Sequence, residues 1–418
     1  MNSEFKECIN NANSISFYLI KWLIVSLAVS ILVGSLSAFF LVSLDFVTIK
    51  QTDYKWLLFL LPFGGAFISF LYKRFGNNAI KGNNLIIEQG NGEEENIPLR
   101  LVPLTLFGTL VTHLFGGSAG REGTAVQMGG AVAELTGKIF KFNKFDRKII
   151  IICGISAGFS SVFGTPLAGT IFGLEVLSLG LIKHDALVPS FFSAFFANIV
   201  TLSYGVNHTH YNIGVIPELN PILVLKLITA GIAFGLVGLA FSLSIAVINK
   251  FYIKWMPDPV IRSFVGGVVV ILLALLVGTR GYLGLSLPLL QHAFDGTSEM
   301  FAFLWKLVFT AFTLGAGFQG GEVTPLFEIG ATLGSTLSTV LLLPTAFLAA
   351  LGFIGVFTGA TNTPITCFIM GIELFGSEGA VYIFLICVIS YLFSGNSGIY
   401  SSQKISIKKG PFTNDKVT

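Results

Sequence analysis

The sequence contains few charged residues and few cysteines. Asp, Glu, Lys and Arg make up only 11% of its 418 residues, whereas soluble domains carry about 25%. The net charge of +3 is too small to indicate a nucleic-acid partner. The four cysteines follow no metal-binding or redox spacing. These absences exclude an ordinary soluble domain and predict an integral membrane protein with no metal site and no cofactor.

Long apolar runs take the place of the missing charge. The chain is 53% hydrophobic and contains 41 phenylalanines and 47 glycines. The first apolar run, 19–47, exceeds the roughly 20 residues that span a bilayer, and it is too long for the apolar part of a signal peptide. Glycine and proline divide 149–182, which predicts two short helices there. The further predicted helices are 56–72, 101–115, 124–139, 186–202, 221–249, 261–278, 301–314, 326–343, 346–357, 365–375 and 380–393.

Positive charges predict the orientation of the chain. Lys and Arg are concentrated in the loops 73–100 and 138–148, the polar N-terminal segment 1–16 carries charges of both signs, and segments rich in Lys and Arg stay in the cytoplasm. The segment 401–418 is a short polar, basic tail. We therefore expect a multi-pass cell-membrane protein with both termini in the cytoplasm.

The two halves of the chain repeat each other. At an offset of 200 residues, Gly120 aligns with Gly320, Glu122 with Glu322 and Thr124 with Thr324. At an offset of 198, Thr165-Pro166 aligns with Thr363-Pro364 and Glu175 with Glu373. Paired Gly/Pro-interrupted segments are typical of a transporter's binding site. The pattern predicts repeats at 17–204 and 221–400, joined by a linker at 205–220.

The stretch Gly116–Thr124 carries an arginine and a glutamate between apolar segments. Charge at membrane depth is costly and therefore indicates a functional site. A helix that begins after Glu122 would direct its free N–H groups and positive dipole end towards an anion, and Glu122 could compete for the same place. The alternative is a glycine-rich turn with an Arg121–Glu122 ion pair.

These residues resemble the CLC family of anion channels and proton-coupled exchangers. The resemblance covers the membrane domain and rests on four stretches: Gly120-Arg121-Glu122-Gly123, 321–325, Tyr400 and the 82–86 stretch Gly-Asn-Asn-Leu-Ile. It implies an all-α fold of two inverted repeats whose broken helices meet at a central anion site. It also implies a homodimer with one pathway per subunit.

Departures from the family pattern point to one branch. Asn83 stands where chloride-selective members carry serine, Thr124 replaces a proline, and Glu322-Val323-Thr324 replaces an apolar stretch. Val176 stands where many exchangers carry a second, proton-passing glutamate. This set is similar to the fluoride/proton antiporters of the family, so the partners expected are fluoride, protons and the lipid bilayer.

The resemblance assigns roles to individual residues. Glu122 would be the proton-carrying gate, and Glu322 would donate to fluoride or pass a proton. The expected anion-binding residues are Asn83, Gly120, Arg121, Gly123, Val323, Thr324 and Tyr400. For four of these residues a structural role stays open: Asn83 as an N-cap or turn residue, Thr324 as a helix cap, Tyr400 as an interfacial aromatic, and Glu322 as a carboxylate held by backbone N–H groups.

Other polar residues have structural interpretations. Glu175 and Glu373 are expected to be hydrogen-bond partners at helix ends, and His113 a hydrogen-bonded core residue. Glu134 and Glu328 are ambiguous. His208 and His210 form a His-x-His pair without a third ligand nearby, which makes a metal site there a minor alternative.

Two classes compete with fluoride/proton exchange. A chloride/proton exchanger or a passive anion channel would share the fold. A membrane enzyme would need a nucleophile, and Ser118 lies in a Gly-x-Ser-x-Gly match at 116–120. That pattern marks a nucleophile only at a strand-to-helix turn, and here it joins apolar segments that are predicted to be helices.

Overall fold

The computed structural model describes residues 3–93, 96–209 and 211–409, and side chains from residue 15 onward. Cys8, the acidic residues Glu94 and Glu95, His210 and the last nine residues of the predicted tail therefore fall outside this description, wholly or in their side chains. Within the described residues the chain is almost entirely helical.

Sixteen α-helices lie within the described residues. They are α1 (Ser3–Asp53), α2 (Leu61–Leu71), α3 (Asn83–Gly90), α4 (Leu101–Leu114), α5 (Glu122–Ile139), α6 (Lys144–Phe163), α7 (Pro166–Glu175), α8 (Leu187–Ser203), α9 (Pro221–Trp255), α10 (Pro259–Val277), α11 (Leu287–Phe294), α12 (Ala302–Gly315), α13 (Val323–Leu341), α14 (Thr345–Thr361), α15 (Pro364–Phe375) and α16 (Ala380–Phe393). The strands β1 (Ser178–Leu179) and β2 (Lys404–Ile405) pair in parallel.

Five helical segments are long and apolar enough to cross a membrane, judged by length and composition. They are Ile15–Asp53, Lys55–Gly90, His184–Ser203, Pro221–Trp255 and Pro259–Val277. Several shorter apolar helices accompany them, among them α4, α12 and α14. This pattern confirms the prediction of an all-α polytopic membrane protein.

Paired glycines let the central helices touch backbone to backbone. A Cβ placed on Gly129 of α5 would lie 2.2 Å from the Gly154 carbonyl oxygen of α6. The same contact joins α13 and α14, where a Cβ on Gly330 would lie 2.1 Å from the Gly352 carbonyl oxygen. Small residues at helix contacts are the usual means of close packing in membranes. Gly330 lies 201 residues after Gly129 and Gly352 lies 198 residues after Gly154, close to the offsets at which the two halves of the sequence align.

Glu175 and Glu373 close each other's helix starts. Glu175, the last residue of α7, accepts hydrogen bonds from the backbone N–H groups of Ile365 (3.1 Å) and Thr366 (2.8 Å) at the start of α15. Glu373 on α15 accepts from Leu167 (2.9 Å) and Ala168 (2.8 Å) at the start of α7. Carboxylates are favourable at helix N-termini because free N–H groups and the positive dipole end face them. The expectation that both are structural hydrogen-bond partners is confirmed.

The structure departs from the predicted elements at α1, α3, α9, α11 and the tail. Helix α1 begins at Ser3, so the polar 1–16 segment is largely helical, and α9 continues six residues past 249 through lysines that favour helix. The helices α3 and α11 were not predicted, because each has only eight residues. The tail that was predicted from 401 onward pairs through β2 with β1. The break within 149–182 is confirmed, with Gly164 in a left-handed conformation (φ 72°) ahead of Pro166.

One ion pair is fully buried among these helices. Lys306 Nζ on α12 lies 2.9 Å from Glu328 Oε2 on α13, and both side chains have zero exposure. Ser286 joins them by accepting from Lys306 (2.6 Å) and donating to Glu328 (3.1 Å). Glu328, which was ambiguous in the sequence, therefore has a defined partner.

Candidate functional site

Two glycine-rich segments cross at the centre of the structure. The N–H of Gly120 donates to the Gly321 carbonyl oxygen (2.7 Å), and the N–H of Gly321 donates back to Gly120 (2.8 Å). Helix α5 begins immediately after the first segment and α13 immediately after the second. The crossing therefore brings two helix N-termini together, and each supplies N–H groups that have no partner within its own helix.

The Glu122 carboxylate lies between these two helix starts. Its Oε1 accepts a 2.5 Å hydrogen bond from the Val323 N–H, and its Oε2 accepts a 2.8 Å bond from the Thr324 hydroxyl. The Arg121 N–H also donates to Oε2, at 3.0 Å. The side chain is 1% exposed. A carboxylate from the first half is thus held by donors from the second half.

Glycine is required in both crossing segments because the Glu122 carboxylate fills the space that a Cβ atom would occupy. A Cβ on Gly321 would lie 2.2 Å from Glu122 Oε1, and a Cβ on Gly120 would lie 2.8 Å from the same oxygen. Real Cβ atoms essentially never come within 3.0 Å of another heavy atom. The glycines of the two motifs therefore serve to admit the Glu122 side chain.

Gly120 was predicted to bind the anion, but its backbone N–H is not free to do so in this structure. Its N–H is already bonded to Gly321, so in this conformation it is not available to an anion. The N–H groups of Arg121 and Val323 both point to Glu122 instead. The predicted roles of the remaining backbone groups stay predictions.

Arg121 faces a cavity and makes no ion pair with Glu122. Among the described residues no salt bridge joins the two side chains, and the Arg121 Nε is buried without a hydrogen-bond partner. The cavity has a volume of about 380 Å³ and is lined by Asp45, Arg121, Tyr211 and Thr324 among others. The alternative of a structural Arg121–Glu122 pair is therefore not seen in this structure.

Asn83 and Tyr400 approach the crossing from elsewhere. Asn83 is the first residue of α3, where Gly82 (φ 55°) occupies the N-cap position, so Asn83 is not the N-cap. Its Nδ2 lies 2.8 Å from where a Cβ on Gly123 would stand. Tyr400 is 8% exposed and meets Phe172 edge to face, which does not fit an interfacial aromatic. The electrostatic interactions of its phenol group include Glu322 and Glu122.

Glu322 occupies the N-cap position of α13 beside Glu122. It makes no side-chain capping bond there, and its Oε2 is buried without a partner. The two carboxylates interact electrostatically. A buried carboxylate oxygen without a donor is unusual, and Glu322 differs in this respect from the well-bonded Glu175 and Glu373.

The remaining candidates form a hydrogen-bonded frame around the site. His113 is buried, and its ring nitrogens lie 2.8 Å from the Thr109 carbonyl oxygen and 3.0 Å from that of Ala119; the expected core role is confirmed. Ser118 bonds Thr310 (2.9 Å) and lies between helices α4 and α5, so the strand-to-helix turn of a hydrolase is absent at this position. Glu134, the other ambiguous carboxylate, pairs with Arg147.

The histidine pair cannot be described as a metal site. His208 lines the cavity beside Arg121, and His210 lies outside the described residues. Within the described part of the chain, no group of three or more His, Cys, Asp or Glu side chains is placed to hold a metal ion.

Known proteins resemble this chain over most of its length. It is 44% identical over 398 residues to the chloride/fluoride channel protein of Pseudomonas syringae pv. tomato, covering 94% of this chain and 88% of that one. The crystal structure of a CLC-type fluoride/proton antiporter matches with a TM-score of 0.91 and 35% identity, over 93% of this chain and 99% of the other. A slow cyanobacterial Cl⁻/H⁺ antiporter shares the fold, with a TM-score of 0.76 and 21% identity, over 91% of this chain and 96% of the other.

The family described as voltage gated chloride channel matches residues 64–395, which include both crossing segments and both helix starts that hold Glu122. This match and the similarity to the Pseudomonas protein together establish the family of this chain. The chain belongs to the voltage gated chloride channel family.

Proposed function

We propose that this protein exchanges fluoride for protons across a membrane, with Glu122 as the proton-carrying gate. The observation that carries the proposal is the position of the Glu122 carboxylate on the Val323 N–H and the Thr324 hydroxyl. These donors come from another helix start and would serve an anion equally well. Fluoride transport and proton antiport are inferred from the two similar proteins, a chloride/fluoride channel protein and a CLC-type fluoride/proton antiporter.

Competition for one set of donors couples the two ions. As a carboxylate, Glu122 accepts the hydrogen bonds and excludes an anion. When the carboxylate takes up a proton, it loses its charge and with it about half of the strength of these bonds. Fluoride then occupies the donors while the protonated side chain leaves. One side chain thus carries the proton when the anion enters, which links the two movements in opposite directions.

The donor set suits fluoride because several small hydrogen-bond donors lie close together. Fluoride is small and strongly hydrated, so its water must be replaced by hydrogen bonds. Thr324 supplies a hydroxyl, Val323 a backbone N–H, Asn83 an amide and Tyr400 a phenol. Arg121, at the cavity, supplies positive charge where anions enter or leave. Glu322 supplies either a second proton carrier or, when protonated, a further donor to fluoride.

Three further features belong to the same proposal. The protein works as a homodimer with one pathway in each subunit. Both termini face the cytoplasm, in keeping with the positive charge of the segment 401–418 and of the loops 73–100 and 138–148, which are rich in Lys and Arg. The two halves, 17–204 and 221–400, are inverted repeats. Their matching glycine contacts and mutual carboxylate caps support this arrangement.

A passive channel is the second candidate, because the similar Pseudomonas protein is named a chloride/fluoride channel protein. Purified protein in liposomes loaded with fluoride or chloride separates the two. Fluoride efflux with proton uptake against a gradient supports exchange. Efflux that needs a charge shunt and moves no protons indicates a channel, and chloride efflux as fast as fluoride efflux contradicts the fluoride assignment.

The gate itself is tested with Glu122→Gln, which keeps the shape of the side chain but cannot carry a proton. We expect fluoride movement to be uncoupled from protons or to stop. Glu378→Gln is the matched control, because Glu378 is exposed and lies outside the site. Proton-coupled fluoride exchange that survives in the Glu122→Gln protein would remove Glu122 from the mechanism.

A further inference from the structure

A buried glutamine lies one helical turn beyond the gate. Gln127 is on α5, four residues after Gly123, and its side chain is 5% exposed. Its amide packs against Gly82, where an added Cβ would lie 3.4 Å from Nε2 and 3.7 Å from Oε1. Gly82 is the residue before Asn83, so the amide of Gln127 stands at the start of α3.

Asn83 makes the reverse contact. Its Nδ2 lies 2.8 Å from where a Cβ on Gly123 would stand, at the start of α5. Each of the two helices therefore places a side-chain amide on the glycine at the start of the other. Glycine at both places lets each amide lie close to the backbone of the other helix. The geometry groups Gln127 with Asn83 rather than with the apolar residues around it.

Neither amide has a hydrogen-bond partner among the described residues. The Oδ1 of Asn83 and the Oε1 of Gln127 are both buried and unbonded, and no described residue accepts from the NH₂ group of either side chain. Buried amides without partners are rare and call for an explanation. The oxygen and nitrogen ends exchange by a half-turn of the terminal torsion, so each amide can turn its N–H groups towards the start of the neighbouring helix.

We infer that Gln127 is a second amide donor of the anion path and acts together with Asn83. This inference rests on the proposed function and adds a residue to it. The ligand is the small, strongly hydrated anion that the transporter carries, which needs several N–H or O–H donors as it loses water. Asn83 and Gln127 supply up to four N–H groups from two side chains. A larger or softer anion gains less from two converging amides.

Replacing Gln127 by methionine tests this role. Methionine keeps the length and flexibility of the side chain and removes every donor. We expect the fluoride concentration at half-maximal flux to rise about tenfold or more, since hydrogen bonds to charged groups are the stronger class. We also expect the ratio of fluoride to chloride flux to fall. Proton coupling through Glu122 should persist, because the gate is unchanged.

Gln89→Met is the matched control. Gln89 is 4% exposed, lies on α3, and has an unbonded buried Oε1, so it shares the burial and the chemistry of Gln127 away from the crossing. A structural role for Gln127 predicts lower thermal stability in both variants with an unchanged half-saturating concentration. That result would overturn the inference.

Two further comparisons keep the test decisive. If Gln127→Met cannot be purified, Gln127→Asn keeps the amide but shortens its reach, and a raised half-saturating concentration is expected there as well. If the unaltered protein carries chloride instead of fluoride, the proposed function fails, yet the same comparison made with chloride still decides whether Gln127 binds the anion. An unchanged half-saturating concentration in these variants refutes the inference in either case.

Discussion

Replacing Gly321 by alanine tests whether the space at the crossing serves the Glu122 carboxylate. The added Cβ would lie 2.2 Å from Glu122 Oε1, 2.8 Å from its Cδ and 2.8 Å from the Gly123 backbone nitrogen. Since none of these distances is tolerated, the carboxylate must withdraw from the donors and the backbone at Gly123 must shift. Gly321 itself does not have a positive φ, so the alanine backbone is not strained for that reason.

The size of the effect follows from the bonds that are lost. A retreat of about 1 Å takes the carboxylate beyond good hydrogen-bonding distance of the Val323 N–H and the Thr324 hydroxyl. Hydrogen bonds to charged groups contribute about 1.5–3 kcal/mol each, so two of them amount to roughly 3–6 kcal/mol. At 1.4 kcal/mol per factor of ten, the position with the carboxylate bound loses roughly 100- to 10,000-fold in population.

Flux measurements in liposomes report this loss directly. With the competitor gone, anions reach the donors at any pH, so we expect fluoride flux in the Gly321→Ala protein to lose its dependence on pH and on proton movement. Thr324→Val is the independent variant, because it removes one donor to Glu122 without adding an atom at the crossing. It should weaken coupling less, since only one bond is lost.

The control is Gly281→Ala, where an added Cβ meets only the Thr279 hydroxyl at 3.4 Å. It should behave as the unaltered protein does. A Gly321→Ala protein that is folded, as judged by a single symmetric size-exclusion peak, and still exchanges ions with the original coupling would refute the reasoning.

Two other predictions concern charged groups away from the crossing. Replacing either Lys306 or Glu328 alone leaves an unpaired charged group in the interior and should lower the free energy of unfolding by about 3–5 kcal/mol. The double variant Lys306→Met with Glu328→Leu should recover most of that stability. Thermal unfolding of the two single variants and the double variant in detergent measures this, and additive losses in the double variant would contradict it. Burial lowers the pKa of Lys409, in the C-terminal tail, to about 7. Between pH 7 and 10.5 the unfolded chain therefore holds a proton that the folded chain has released, so stability should rise with pH across that window. An NMR titration should show one lysine signal that shifts near pH 7 and is missing from the Lys409→Met protein. A Lys409 signal that shifts only above about pH 10 would contradict this.

Much of the helical framework could be predicted from the sequence, because long apolar runs leave few alternatives in a membrane. The break between α6 and α7 followed from Gly164 and Pro166, which end one helix and start the next. The eight-residue helix α11 could not be predicted, since its apolar run is too short to be told from a loop. The pairing of β2 with β1 depends on residues more than 220 positions apart, which no local pattern encodes.

The site was predictable where its residues repeat and less so where it depends on contacts across the fold. The meeting of Glu122 with Val323 and Thr324 followed from the repeat and the family resemblance. The sequence does not indicate that the Gly120 N–H is consumed by Gly321, because that bond forms only when the segments cross. The sequence does not predict a role for Gln127, because a glutamine inside an amphipathic helix has no distinguishing pattern.

The mutual caps of α7 and α15 bear on how the protein is made. A chain leaves the ribosome from its N-terminus, and Glu373 lies 206 residues after Leu167, whose N–H it accepts. Until that glutamate is synthesised, the N–H groups of Leu167 and Ala168 lack the carboxylate that accepts from them in the folded protein, and unsatisfied backbone groups are costly wherever water is excluded. Glu175, in turn, has no helix start to cap until α15 has been synthesised. The mutual capping of α7 and α15 can therefore form only late in synthesis, and a chain cut short before Glu373 lacks the carboxylate that caps α7.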